Sequence, residues 1–137
     1  MTDNKFMSTP YEAPANNCVA FMRLMVDDIA RAKSFYEQVF GWIFQSEAYK
    51  PTILVFKTGG QVMGAMHLRD SGAGPAAGAS LPIQIYIKVE DVAATLKKVE
   101  EAGGKVITDK FNEGGHTDMG EVEDSEGNRI GLLRWLM

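Results

Sequence analysis

Residues 21–45, FMRLMVDDIARAKSFYEQVFGWIFQ, and residues 84–108, QIYIKVEDVAATLKKVEEAGGKVIT, align without a gap at an offset of 63. Val26 falls on Val89, Asp28 on Asp91, Ile29 on Val92, Ala30 on Ala93, Glu37 on Glu100 and Gly41 on Gly104. A repeat of this length restricts the chain to a fold made of two like modules. Both copies change period at the same place. Each opens with a short β-rich run, and an acidic pair suited to capping a helix follows. Apolar residues then recur at helical spacing: Ile29, Ala32, Tyr36, Val39 and Phe40 in one copy, Val92, Leu96, Val99 and Ala102 in the other. A glycine ends each helix, and an extended segment resumes. The spacing predicts helices over 28–40 and 91–102. Further strands are predicted at about 42–47, 52–58 and 61–68, then at about 105–109, 118–124 and 129–135. Each half therefore reads β-α-β-β-β, an α+β fold with eight main strands.

A chain of 137 residues with 45% apolar and 23% charged residues is one ordinary globular domain with a core of its own. Its net charge of −4 supplies no broad basic face, which argues against nucleic acid or an anionic membrane as a partner. No apolar run approaches the roughly 20 residues that span a bilayer. Cys18 is the single cysteine, so no internal disulfide can form, and a cytoplasmic location is expected. Residues 1–17 are polar, contain two prolines and lack the order of a signal peptide; they read as a partly ordered N-terminal arm. Module one spans 18–70 and module two 81–136. Between them RDSGAGPAAGAS has the composition of a mobile loop, and its glycines do not sit between a strand and a helix as in a phosphate-binding loop.

Paired β-α-β-β-β modules, VDDIARAKSFYEQVFGW in the first and DSEGNRIGL closing the second, resemble the vicinal oxygen chelate superfamily. That superfamily includes glyoxalase I, fosfomycin- and bleomycin-resistance proteins and extradiol dioxygenases. The likeness covers residues 18–135 and implies a glyoxalase/bleomycin-resistance-like cupped mixed sheet. It also implies where a metal would be held: seven residues before each helix-opening Asp, at Phe21 and Gln84, near Gly64 or Met66, and at Gly131. Divalent ions want imidazole or carboxylate there. Phenylalanine and glycine offer neither, so the family metal site is expected to be missing. His67 reads as a rim or surface histidine, one residue out of register with the ligand position.

Strand alternation separates the two faces of the cup. Met22, Leu24 and Val26, with Ile83, Ile85, Ile87 and Val89, should pack on the helices. Phe21, Arg23 and Met25, with Gln84, Tyr86 and Lys88, should face the cup. Arg23 and Gln84 then supply polar contacts to a ligand, and Phe21, Tyr86, Met119 and Trp135 supply walls. Glu121, deeper than Glu123 on the same strand face, is the candidate general base. His116, in the glycine-rich NEGGHTDMG, is a candidate for substrate contact or proton transfer. Cys18 reads as a small buried or edge residue.

The leading expectation is a protein that binds a small organic molecule in a metal-free cup, with no cofactor. The alternative is a divalent-metal-dependent lyase, isomerase or dioxygenase of the same superfamily. A third is a ligand-responsive module acting through another protein. The resemblance also implies a homodimer.

Overall fold

The computed structural model describes residues 5–46, 50–69 and 82–136. In chain order the elements are α1 (Lys5–Ser8), β1 (Val19–Val26), α2 (Ile29–Phe40), β2 (Ile43–Phe44), β3 (Ile53–Lys57), β4 (Met63–Leu68), β5 (Ile83–Lys88), α3 (Val92–Glu101), β6 (Lys105–Glu113), β7 (Thr117–Glu123) and β8 (Arg129–Trp135). None of these helices is long and apolar enough to cross a membrane. The loop between the modules, from residue 70 to residue 81, lies outside the described residues.

The acidic pairs do what the spacing predicts. Asp28 and Asp91 have extended backbones (φ −148° in each), and their carboxylates accept from the amides of Arg31 at 2.9 Å and Ala94 at 3.0 Å. Such caps satisfy amides that the first helical turn leaves without partners. At the other end of α2, Gly41 adopts φ 68°, a left-handed conformation that closes the helix.

The strands form one eight-stranded mixed sheet in the order β2-β3-β4-β1-β5-β8-β7-β6. Within each module the first strand runs parallel to the last, β1 beside β4 and β5 beside β8. Antiparallel pairing of β1 with β5 joins the modules. Lys50, just before β3, forms an ion pair at 3.8 Å with Glu113 at the end of β6. In a flat sheet those strands would lie roughly 25–30 Å apart, at ~4.8 Å per strand. The sheet must therefore curl until the start of β3 approaches the end of β6, and that curl makes the cup.

Each helix covers its own module on the convex face. Leu24, Phe44, Leu54, Phe56 and Met66 form one core with Met22, Val26 and the α2 residues Ile29, Ala32 and Tyr36. Val89, Val92, Leu96, Val122 and Leu132 form the second, with Ile87, Val99, Val106 and Ile130. Ile83 and Ile85 depart from expectation. They are on the helix face but 58% and 38% exposed, because α3 packs over β6, β7 and β8 and leaves that part of β5 bare. Helix α2 likewise leaves Phe35, Val39 and Phe40 more than half exposed.

The strand ends also shift. β2 shrinks to two residues, while β6 runs on to Glu113 because bulges carry its pairing with β7 as far as Thr117. The described part of the N-terminal arm is docked on the sheet. Phe6 is buried, and Lys57 Nζ donates to the carbonyls of Phe6 at 2.8 Å and Thr9 at 3.0 Å. Tyr11 sets its ring edge-on to Trp135, and Lys88 Nζ donates to Asn16. Cys18, expected at a buried or edge position, is exposed where the arm enters β1.

Gly64 packs where no side chain fits. A Cβ there would lie 2.4 Å from the backbone carbonyl oxygen of Met22 and 2.6 Å from the ring of Phe56. Backbone cannot swing aside, so Gly64→Ala should destabilise the protein by about 2 kcal/mol in urea unfolding. A loss under about 0.5 kcal/mol would show that β1 and β4 are less closely apposed.

Candidate functional site

Pairing register identifies the cup residues, because side chains directly opposite each other share a face. Phe21 stands opposite Met63 and Tyr86, and Arg23 opposite Ala65 and Gln84. Tyr86 stands opposite Gly131, Gly131 opposite Glu121, and Glu121 opposite Thr108. A continuous row therefore crosses both modules at the centre of the cup.

Four polar side chains in this row are buried almost completely: Arg23 is 3% exposed, Gln84 2%, Tyr86 3% and Glu121 1%. They are tied to one another. Arg23 Nη1 donates to the Tyr86 hydroxyl at 3.2 Å, and Gln84 Nε2 donates to Glu121 Oε2 at 2.5 Å. The second Glu121 oxygen accepts from Thr108 Oγ1 at 3.3 Å. Buried polar groups are tolerated only in such company. Burial pushes the Tyr86 hydroxyl above its ordinary pKa, with the Arg23 charge opposing and the Glu121 charge reinforcing the shift. Tyr86 is therefore a neutral hydroxyl near neutrality. Phe21 braces it, ring edge against ring at 5.7 Å.

Gly131 now has an explanation. A Cβ at that position would lie 2.2 Å from the Tyr86 ring, so the tyrosine occupies the space that a side chain at residue 131 would need. Gly64 and Met66, named above as candidates for the module-one ligand, are both on the helix side, opposite Met22 and Leu24. The cup-facing residue is Ala65. The offset of 63 makes Arg23 the counterpart of Tyr86, and Arg23 pairs with Ala65 as Tyr86 pairs with Gly131. The four positions that the resemblance assigns to metal are thus Phe21, Ala65, Gln84 and Gly131. Only Gln84 has a donor atom, its amide oxygen, and one neutral amide oxygen does not hold a divalent ion by itself; its Nε2 donates to Glu121. Among the described residues no three His, Cys, Asp or Glu side chains gather as a metal site would need. These residues do not fit a divalent cation.

His67 corrects a further expectation. It is in register with the cup face, opposite Met25 on β1 and Ile53 on β3. It falls one residue out of register only if Gly64 or Met66 faces inward, and the β1–β4 pairing alone decides that parity. Its Nδ1 is buried without a hydrogen-bond partner. Burial, followed by the Arg23 and Lys50 charges, lowers its pKa from 6.5 to about 4.

His116 is not in the buried group. It sits exposed in the β6–β7 turn, its Nδ1 2.7 Å from Thr117 Oγ1. Met119 is half-buried on the cup face between Phe111 and Leu133. Trp135 closes that face beside the arm. Glu123 is engaged with Arg129 at 3.8 Å. Lys88, on the cup face as expected, reaches Asn16. Thr108 and Lys50 escaped sequence reading. The bulges in β6 break strict alternation around Thr108, and Lys50 lies before its strand.

A folded-state pKa of about 4 for His67 has a definite sign. As pH falls below 6.5 the unfolded chain takes up a proton that the folded chain refuses, so stability contributed by neutral His67 is lost between pH 6.5 and 4. His67→Gln should flatten that part of the stability–pH curve in urea unfolding. An unchanged slope would show that other groups set the acid limb.

A family model described as the Glyoxalase/Bleomycin resistance protein/Dioxygenase superfamily matches residues 18–132. A glyoxylase-like domain-containing protein of Didymella fabae is 31% identical over 122 residues, spanning 80% of this chain and 88% of its own. Among solved structures, a hypothetical protein from Bacillus halodurans C-125 superposes with a TM-score of 0.69 at 14% identity, covering 88% of this chain and 95% of that one. Methylmalonyl-CoA epimerase from Mycobacterium tuberculosis superposes with a TM-score of 0.62 at 15% identity, covering 87% of this chain and 88% of that one. At such identities the two structures share the fold and carry no assignment of chemistry. With its two β-α-β-β-β modules on one curled sheet, this chain belongs to the glyoxalase/bleomycin resistance protein/dioxygenase superfamily.

Proposed function

We propose that this protein binds a small organic molecule in its cup without a resident metal ion. The observation that carries this reading is the content of the four family positions, Phe21, Ala65, Gln84 and Gly131, with the Tyr86 ring filling the space above Gly131. Polar recognition falls to Arg23, which orients an anionic or carbonyl-bearing group. Phe21, Tyr86, Met119 and Trp135 provide apolar and aromatic surface. His116, at the β6–β7 turn, is a contact at the rim. Should the bound molecule also react, the chemistry runs on Arg23, Gln84, Tyr86 and Glu121. Glu121 is the base, and Gln84 and Thr108 hold its carboxylate in place.

The chain is further read as a cytoplasmic homodimer. Its single cysteine agrees with a reducing compartment, and the exposed Phe35, Val39, Phe40, Ile83 and Ile85 supply apolar surface for a second copy. Light scattering at micromolar concentration should give twice the chain mass.

Two measurements test the metal-free cup. Calorimetry of metal-stripped protein with Ni²⁺, Zn²⁺, Mn²⁺ and Fe²⁺ should find no micromolar site, and elemental analysis of the purified protein should find no stoichiometric metal. A micromolar ion held inside the cup would overturn the reading and favour a metal-dependent lyase, isomerase or dioxygenase. For the polar anchor, Arg23→Met should weaken the strongest hits of a thermal-shift screen of small carboxylates and carbonyl compounds by about tenfold or more, the size of one lost charge-assisted contact. Its own melting temperature should fall by less than those affinities imply. Equal loss of both would make Arg23 a structural residue.

A further inference from the structure

The middle of the cup divides its charge between its two modules, Lys88 of module two being drawn aside to Asn16 of the arm. Module one contributes Arg23, His67 and, at the rim, Lys50; module two contributes Glu121 and Glu113. The acidic side is already engaged, Glu121 by Gln84 and Thr108 and Glu113 by Lys50. The basic side has a different geometry. Arg23 lies on β1 opposite Ala65, and His67 lies on β4 two residues beyond Ala65 on the same face. Diagonal neighbours on a sheet face are about 7–8 Å apart, close enough for long side chains to grip one group between them. Ala65 on β4 and Met25 on β1 are the other two corners of that diagonal, and neither carries a charge.

His67 is otherwise an expensive residue to place there. Its Nδ1 is buried with no partner among the described residues, which costs the desolvation of a polar atom and returns nothing from them. Its surroundings are apolar, Met25 8% and Ile53 7% exposed. The cations acting on it from the elements packed around it are Arg23 of β1 and Lys50 beside β3, and together with burial they hold it neutral. An anion seated between Arg23 and His67 would offset this crowding of positive charge and give Nδ1 its missing partner.

We infer that Arg23 and His67 form an anion subsite that takes a carboxylate of the bound molecule. The inference rests on the small-molecule reading above and names the class of ligand. The guanidinium donates to one carboxylate oxygen and His67, as its Nδ1–H tautomer, to the other, while the organic part lies toward Phe21 and Tyr86. A carboxylate matches the charge better than a phosphate ester does. One almost fully buried cation, Arg23, faces the seat, and a dianion would bring more negative charge than that guanidinium balances in an apolar setting.

The test is calorimetry at pH 7 on the full chain with three probes of one shape: phenylacetate, phenylacetamide and phenyl phosphate. Phenylacetate should bind about tenfold tighter than the neutral amide, the worth of a charge-assisted pair of contacts. His67→Leu should bring the two within about threefold by weakening the acid alone, and His67→Gln, which keeps an N–H donor, should restore part of the difference. Correct folding of each variant is read from its unchanged affinity for phenylacetamide. Equal binding of acid and amide, or a full preference retained in His67→Leu, overturns the subsite while leaving the metal-free cup standing. Tighter binding of phenyl phosphate than of phenylacetate overturns the assignment to carboxylates. Binding of none of the three overturns the subsite and the small-molecule reading together.

Discussion

Antiparallel pairing of β1 with β5 is the contact on which the rest of this structure depends. Each module alone is a short sheet with one helix, and its first strand would be an exposed edge. Joining the two first strands removes both edges and makes one sheet of eight strands. The same register sets Arg23 beside Gln84 and Phe21 beside Tyr86, residues 61 to 65 positions apart in the chain. Without that seam neither the cup nor its polar row exists.

Once the row is formed, its members are the main partners of one another, since little of their surface is exposed. Arg23 and Glu121 are charged groups under 5% exposed, and either left alone at this depth would be prohibitive. Tyr86 and Gln84 sit between them in the row, one bonded to Arg23 and the other to Glu121. The arrangement favours one packing over many, because a one-residue slip of β5 would break both bonds and turn Gln84 and Tyr86 toward the helices. Such a row also suits recognition. Its groups are held in fixed orientations before any ligand arrives, which lowers the entropic cost of binding.

Gly131 and Tyr86 are matched in size across the β5–β8 pair. The small residue on β8 and the large one on β5 are complementary: the ring lies where a side chain from residue 131 would project. The absence of a side chain on one strand is thus matched by a large ring on its neighbour. The space is packed with a phenol whose hydroxyl extends the polar row toward Arg23. In module one the counterpart pair is Ala65 and Arg23, which stand opposite each other on β4 and β1.

Much of this was legible in the chain itself. The repeat at offset 63, the paired acidic caps and the two changes of period are local features, carried by residues close in sequence, and local physics suffices to interpret them. From them come the two modules, both helices, the eight strands and the inward alternation of Phe21, Arg23, Gln84 and Tyr86. What the chain could not disclose depends on register between distant strands. The inward turn of Ala65 and His67 follows from the alignment of β4 with β1, and a slip of one residue would have reversed it. Bulges in β6 hid Thr108, and the bare face at Ile83 and Ile85 reflects how far α3 reaches across the sheet. The occupant of the space above Gly131 was likewise undecided until β5 and β8 were side by side. Periodicity belongs to the sequence, but parity between strands is settled only when they pair, and in this protein the chemistry of the cup is a matter of parity.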